Sequence, residues 1–249
     1  MAAVNQIARQ RGAVKLALAM IAAVLAFAAF VALGIWQWQR GESKQATLDA
    51  VAARLASGQS EPMTAALADR ADGIDRVYSQ GRFLDAPILL LDNQIDAGAV
   101  GVRVYRLFRP EHVDRPILVE LGWLPMPADR VPPQTEVGDG GVVEIDGLLL
   151  PPPSPGLMLG PAGQRLTDGR WLLTRLDPAE VSTLLDGVGP LAARVLRPDP
   201  AQPIGYRRSL DVLPNTLTPE KHRGYAGQWF ALAAAVAVIT LSLACRRRR

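Results

Sequence analysis

Cysteine and histidine are almost missing from this chain. Of its 249 residues one is cysteine, Cys245, and two are histidine, His112 and His222. Without a second thiol no disulfide can form within the chain, and thiolate metal carriers are excluded. One histidine in the long middle of the chain, His112, cannot build a His-rich metal site. It stands in "FRPEHVDRP", a turn-like stretch between prolines, where a solvated loop residue is the ordinary reading. Acid is also missing from both tails: all 24 Asp and Glu lie in the middle, facing 20 of the 27 Lys and Arg. The net charge of +3 therefore belongs to the ends. No basic stripe remains for nucleic acid, and a basic end beside an apolar run is met by anionic lipid. No nucleophile elbow, zinc-binding helix or phosphate-cradling loop appears. The Gly-rich "GDGG" reads as a turn, and an enzyme is not expected.

Long uncharged runs are present, one near each end. Leu16–Ile35 gives 20 uncharged residues and Tyr225–Cys245 gives 21. At the helical rise either covers a hydrocarbon core of about 30 Å. The first run exceeds the roughly 7–15 apolar residues of a cleaved signal and ends on bulky Phe30, Val31, Leu33 and Ile35, so it reads as an anchor. Arg9, Arg11 and Lys15 precede it, and Arg246 to Arg249 follow the second run. Basic flanks stay on the cytoplasmic side. The expected order is a cytoplasmic tail (1–15), a first transmembrane helix (16–35) and an exported, periplasmic domain (36–221). A second transmembrane helix with its approach (222–245) and a cytoplasmic basic tail (246–249) complete the chain.

Between the runs the hydrophobic period changes. Trp36, Arg40 and Lys44 are spaced four apart, so the first helix leaves the lipid still helical, continues through "QATLDAVAARLA" and stops at Gly58. "RVYSQGRF", "APILLLDNQ", "VGVRVYRLFRP", "RPILVELGWLP", "EVGDGGVVEIDGLLLP", "RWLLTRL" and "LAARVLRPD" are short β-branched and aromatic runs with turn residues, the pattern of strands in a meander. "PPPSPG" reads as a stiff loop. Asp177 as N-cap, Pro178 and Glu180 form a helix start of capping-box type. The fold class is α+β: two transmembrane helices flank a mainly antiparallel β domain with one or two helices.

Where each apolar run meets the exported side, polar and aromatic residues gather: Trp36, Gln37, Trp38, Gln39 and Arg40 on one, His222, Arg223, Tyr225, Gln228 and Trp229 on the other. An interfacial aromatic belt with snorkelling arginines explains them. A haem would also use the whole set, its ring taking apolar side chains, its iron a neutral imidazole nitrogen and its propionates arginine.

"LGIWQWQRGESK" resembles the first-helix signature of the surfeit-locus-one family of cytochrome c oxidase assembly factors, G-x-W-Q-x-x-R-x-x-x-K. Gly34, Trp36, Gln37, Arg40 and Lys44 fill its fixed places. "ILVELGWLP" is similar to the family's V-x-x-G-W-[VI]-P strand through Gly122, Trp123 and Pro125. "GRFLDAPILLLDNQIDAGAVGVRVYRLFRP" resembles its paired central strands. "HRGYAGQWFALA" resembles H-x-x-Y-A-x-x-W-[FY]-x-L-A, matched by His222, Tyr225, Ala226, Trp229, Phe230, Leu232 and Ala233. The chain departs at Glu120 and Leu121, where members carry an Asn-Arg pair, and at Glu220, Lys221 and Arg223 around the histidine.

The resemblance implies a bacterial inner-membrane protein with both termini cytoplasmic, serving biogenesis of the haem-copper oxidase. It implies transient binding of haem a and its delivery to oxidase subunit I, with the iron ligand carried onto His222. Haem a synthase is a further candidate partner. Arg40 and Arg223 are assigned to the propionates and Trp36 and Trp229 to packing. Gln37 and Tyr225 complete the candidate set. A scaffold that holds subunit I without cofactor would need the same helices and no iron.

Overall fold

The computed structural model describes residues 2–136, 141–155, 160–209 and 217–246, with side chains from Val14 onward. Most of the expected "GDGG" turn, the last residue of "PPPSPG" and Arg247 to Arg249 lie outside the described residues. Two compact units form, Met1–Thr47 with Thr216–Arg249, and Leu48–Asn215.

Helix α1 runs unbroken over Ala2–Ser57 and ends, as its sequence predicts, at Gly58, whose φ of +62° turns the chain out of the helix. Its last residues belong to the second unit, where Val51 is buried against Leu148 and Leu150. Next in the chain are β1 (Glu61–Pro62), α2 (Ala65–Asp69), β2 (Asp75–Phe83), β3 (Leu89–Asp96), β4 (Ala99–Pro110) and β5 (Ile117–Pro125). Beyond them lie β6 (Val142–Leu150), β7 (Gly163–Arg165), β8 (Trp171–Leu173), α3 (Pro178–Leu184), β9 (Val195–Pro198) and α4 (Pro219–Arg246).

The strands join in the order β1-β2-β6-β9-β5-β4-β3-β8-β7, and β2 also pairs with β4. That extra pairing, Gly81 to Phe83 against Phe108 to Pro110, closes β2-β6-β9-β5-β4 into a five-stranded barrel. Gly81 makes it feasible, since a Cβ there would collide with the Arg109 carbonyl. Only β3-β4-β5 is the expected meander. Three of the nine pairings among the described residues, β1–β2, β3–β8 and β5–β9, are parallel, so the sheet is mixed. The sequence pattern misses this because alternation marks a strand's buried face and says nothing of its neighbour's direction.

Two apolar layers explain the strand sequences. Val77, Val104, Phe108, Ile117, Val119, Ile145, Leu149 and Leu196 share one core. Leu89, Tyr105, Leu107, Leu118 and Leu173 form another with Val181 and Leu185 of the α3 region. β4 is covered on both faces and is buried continuously from Gly101 to Phe108, whereas β2 alternates. Helix α3 starts where its signature predicts: Asp177 Oδ1 accepts from the Ala179 and Glu180 amides at 2.8 and 3.4 Å. Glu180, expected to complete the box, instead takes the Arg175 guanidinium at 2.7 and 3.0 Å.

Strand β5 carries an irregularity. Val104 pairs with Gly122 and Tyr105 with Glu120, so Leu121 is the extra residue of a bulge. Gly122 sits there at φ +123°, and a Cβ would stand 2.7 Å from the carbonyls of Tyr206 and Arg207. The later chain docks on this bulge through Tyr206 N–H to Leu121 O at 2.7 Å and Trp123 N–H to Arg207 O at 2.9 Å.

Candidate functional site

The first unit pairs the apolar part of α1 with α4 in antiparallel fashion. On α1 the less exposed positions include Ala23, Ala26, Phe30, Gly34, Gln37 and Gly41, spaced three and four apart. On α4 they include Pro219, His222, Ala226, Trp229 and Ala233. This is the two-helix seam spacing, and its small residues let backbones approach. Gly34 and Gly41 both allow close approach: a Cβ on Gly34 would fall 2.5 Å from the Phe230 ring, and one on Gly41 would lie 3.2 Å from the Pro219 carbonyl and 3.4 Å from the His222 Cβ. Phe30 stacks on Trp229 with ring centroids 5.7 Å apart. Helix α4 starts at Pro219 behind Thr218, whose hydroxyl accepts the Lys221 amide at 3.4 Å.

His222 is in this seam, 6% exposed. Its Nδ1 lies 2.6 Å from Gln37 Oε1. With an amide oxygen as its partner, Nδ1 would carry the imidazole proton and leave the lone pair on Nε2. Nε2 is buried and has no hydrogen-bond partner. A buried polar atom without a partner is unusual, and a neutral imidazole nitrogen is a group that can bind a metal.

The remaining sequence candidates divide. Trp229 lies in the seam with Phe30. Trp36 and Tyr225 are 50% and 42% exposed and point away from it, and Arg40 is likewise exposed. Arg223 donates from Nε and Nη2 to Glu42 Oε1 at 3.2 and 3.1 Å. Lys44 reaches the Leu217 carbonyl at 2.6 Å. Sequence reasoning passed over Phe30, Gly41 and Glu42. The seven-residue interval between Gly34 and Gly41 was the signal for the seam; nothing in the sequence marked Glu42 as the partner of Arg223. His112 is exposed in the turn between β4 and β5, as expected. Among the described residues no group of three or more His, Cys, Asp or Glu could hold a metal ion.

The seam is testable by itself. Gly41→Leu should drive α4 from α1 because branched carbons have no room beside the Pro219 carbonyl. In a Cys245→Ser background, cross-linking by a short bismaleimide between Phe30→Cys and Trp229→Cys should fall several-fold with Gly41→Leu. With Gly41→Ala most of it should survive, since contacts of 3.2–3.5 Å yield to small shifts.

Both long helices are long and apolar enough to cross a membrane. The chain thus contains a mixed-sheet domain and two helices that could span a membrane. A profile of the SURF1 family matches residues 24–234, and the chain belongs to that family, the surfeit-locus-one cytochrome c oxidase assembly factors. No curated protein matches the chain. The family indicates a part in oxidase assembly, and its members are assembly factors rather than catalysts.

Proposed function

We propose that this protein carries haem a as cargo during assembly of the haem-copper oxidase and passes it to subunit I, without catalysing a reaction itself. The observation that supports this most is His222, with Nδ1 held by Gln37 and Nε2 left without a partner. In this reading Gln37 orients the imidazole and Nε2 binds the iron. Trp229 packs against the ring, while Arg40 and Arg223 take the propionates, Arg223 by exchanging Glu42 for a propionate. Trp36 and Tyr225 give the cargo an apolar and aromatic edge at the lipid boundary. A single ligand that is covered when the seam is closed suits a site that must release what it binds.

The placement proposed with it has both helices crossing the bacterial inner membrane, both termini in the cytoplasm and the sheet domain in the periplasm. Subunit I is the receiving partner, and haem a synthase is the proposed donor. The second reading, a cofactor-free scaffold for subunit I, draws on the same burial of Nε2, since a structural histidine would also be covered.

The test is spectroscopic. Protein purified from cells that make haem a should show a Soret band, and His222→Ala should abolish it with expression retained. Gln37→Ala should weaken it about tenfold through loss of ring orientation. Cofactor-free protein from such cells, with oxidase assembly unaffected by His222→Ala, would leave the scaffold as the function.

A further inference from the structure

The bulge in β5 brings a second set of charged groups together, far along the chain from the helix pair. With Arg207 and Arg208 docked against Leu121 and Trp123, a cavity of about 70 Å³ forms. Asp96, Arg103, Glu120, Trp123, Arg207 and Arg208 line it. Its charges do not balance. Arg103 is bound to Glu120, and Arg197 also donates to that carboxylate at 2.9 Å. Arg207 is bound to Asp96. Both carboxylates are therefore engaged, and a third lining guanidinium remains.

That one is Arg208. It donates to four backbone carbonyls, Leu121, Tyr206, Asp199 and Gln202, at 3.4, 3.3, 3.1 and 2.6 Å, and among the described residues no carboxylate lies at bonding distance. Carbonyl dipoles satisfy donors but leave the charge in place. Among the described residues the lining thus carries three guanidiniums, of Arg103, Arg207 and Arg208, against the two carboxylates of Asp96 and Glu120. Burial pulls the proton affinity of Arg208 below the ordinary arginine value, and the charges of Glu120 and Asp199 oppose that fall.

We propose that this cavity binds a small oxyanion of the phosphate class. Since about 10–15 Å³ of such space holds one water, the cavity has room for several waters or a small tetrahedral anion. Guanidinium forks match such oxygens two at a time. Arg208 supplies the unmet charge, Arg103 forms the floor beside Glu120, and Arg207, exposed over 66% of its side chain, forms the rim. The site is independent of the haem reading.

The experiment is thermal unfolding of the full chain in neutral detergent, with inorganic phosphate compared against chloride at equal ionic strength. A bound anion stabilises the folded state in proportion to its occupancy. At ten times the dissociation constant the midpoint of the sheet domain should rise about 3–6 °C in phosphate and not in chloride. Arg208→Gln should remove the rise. Arg207→Gln, altering an exposed side chain and so keeping the fold, should weaken phosphate at least fivefold, whereas His222→Ala should leave the rise unchanged. Equal midpoints in phosphate and chloride would overturn the proposal, as would a phosphate response that Arg207→Gln leaves intact.

Discussion

Glu120→Ala should destabilise the sheet domain by about 3–5 kcal/mol, the cost of leaving a buried ion pair with one member. Glu120 is 2% exposed, and its carboxylate is bound to Arg103 and takes Arg197 Nη2 at 2.9 Å and the Tyr105 hydroxyl at 3.1 Å. Alanine would strand the charge of Arg103, which is 6% exposed, and leave the Tyr105 hydroxyl without its acceptor. Burial first, and then the charge of Glu120, holds the Tyr105 pKa well above the ordinary phenol value, so the hydroxyl remains a neutral donor. Glu120→Gln keeps the volume and one acceptor but not the charge, and should fall between wild type and alanine. Urea unfolding followed by the far-ultraviolet signal of the sheet checks both. A loss under 1 kcal/mol for alanine would show that water already screens these groups.

The position is instructive about what a sequence discloses. In the sequence Glu120 is a lone charge inside the apolar run of β5. Its role depends on Arg103 and Tyr105 one strand away and Arg197 on β9, and register alone brings those together. The strands themselves were legible because β-branched and aromatic runs between turn residues leave few alternatives. Barrel closure was not legible, since it rests on three pairs at the ends of β2 and β4. β1 and β7, of two and three residues, carry no period at all. In the helix pair, His222 and Gln37 were legible as chemistry at one depth. The tautomer was not, because it depends on which amide atom faces Nδ1. Nothing in the sequence pattern singles out Arg207 and Arg208; docking on the β5 bulge makes them walls of a cavity.

A second large loss is expected at Asp75, and it separates charge from hydrogen bonding. Asp75 is 2% exposed and meets three guanidiniums: Arg70 at 2.5 Å, Arg194 at 2.7 Å and Arg54 at 3.6 Å. They are not equivalent. Arg194 is fully buried, while the side chains of Arg70 and Arg54 are 46% and 53% exposed. Arg194 also donates to the carbonyls of Leu67, Gly73 and Leu149, tying α2, the approach to β2 and β6 together. Burial lowers its pKa, and the hydrogen bond and charge of Asp75 oppose that first among its neighbours. Asp75→Ala should therefore cost about 3–5 kcal/mol. Asp75→Asn, which keeps the shape and one acceptor but removes the charge, should cost nearly as much, because the carbonyls already serve the N–H groups of Arg194. Arg54→Ala, removing the longest and most exposed contact, should cost under about 1 kcal/mol. A double replacement, Asp75→Leu with Arg194→Met, should recover part of the loss, since exchanging both members of a buried pair for apolar groups is often tolerated. Urea midpoints for the four variants decide the matter: an Asp75→Asn protein as stable as wild type would mean that the oxygen at this site counts and its charge does not.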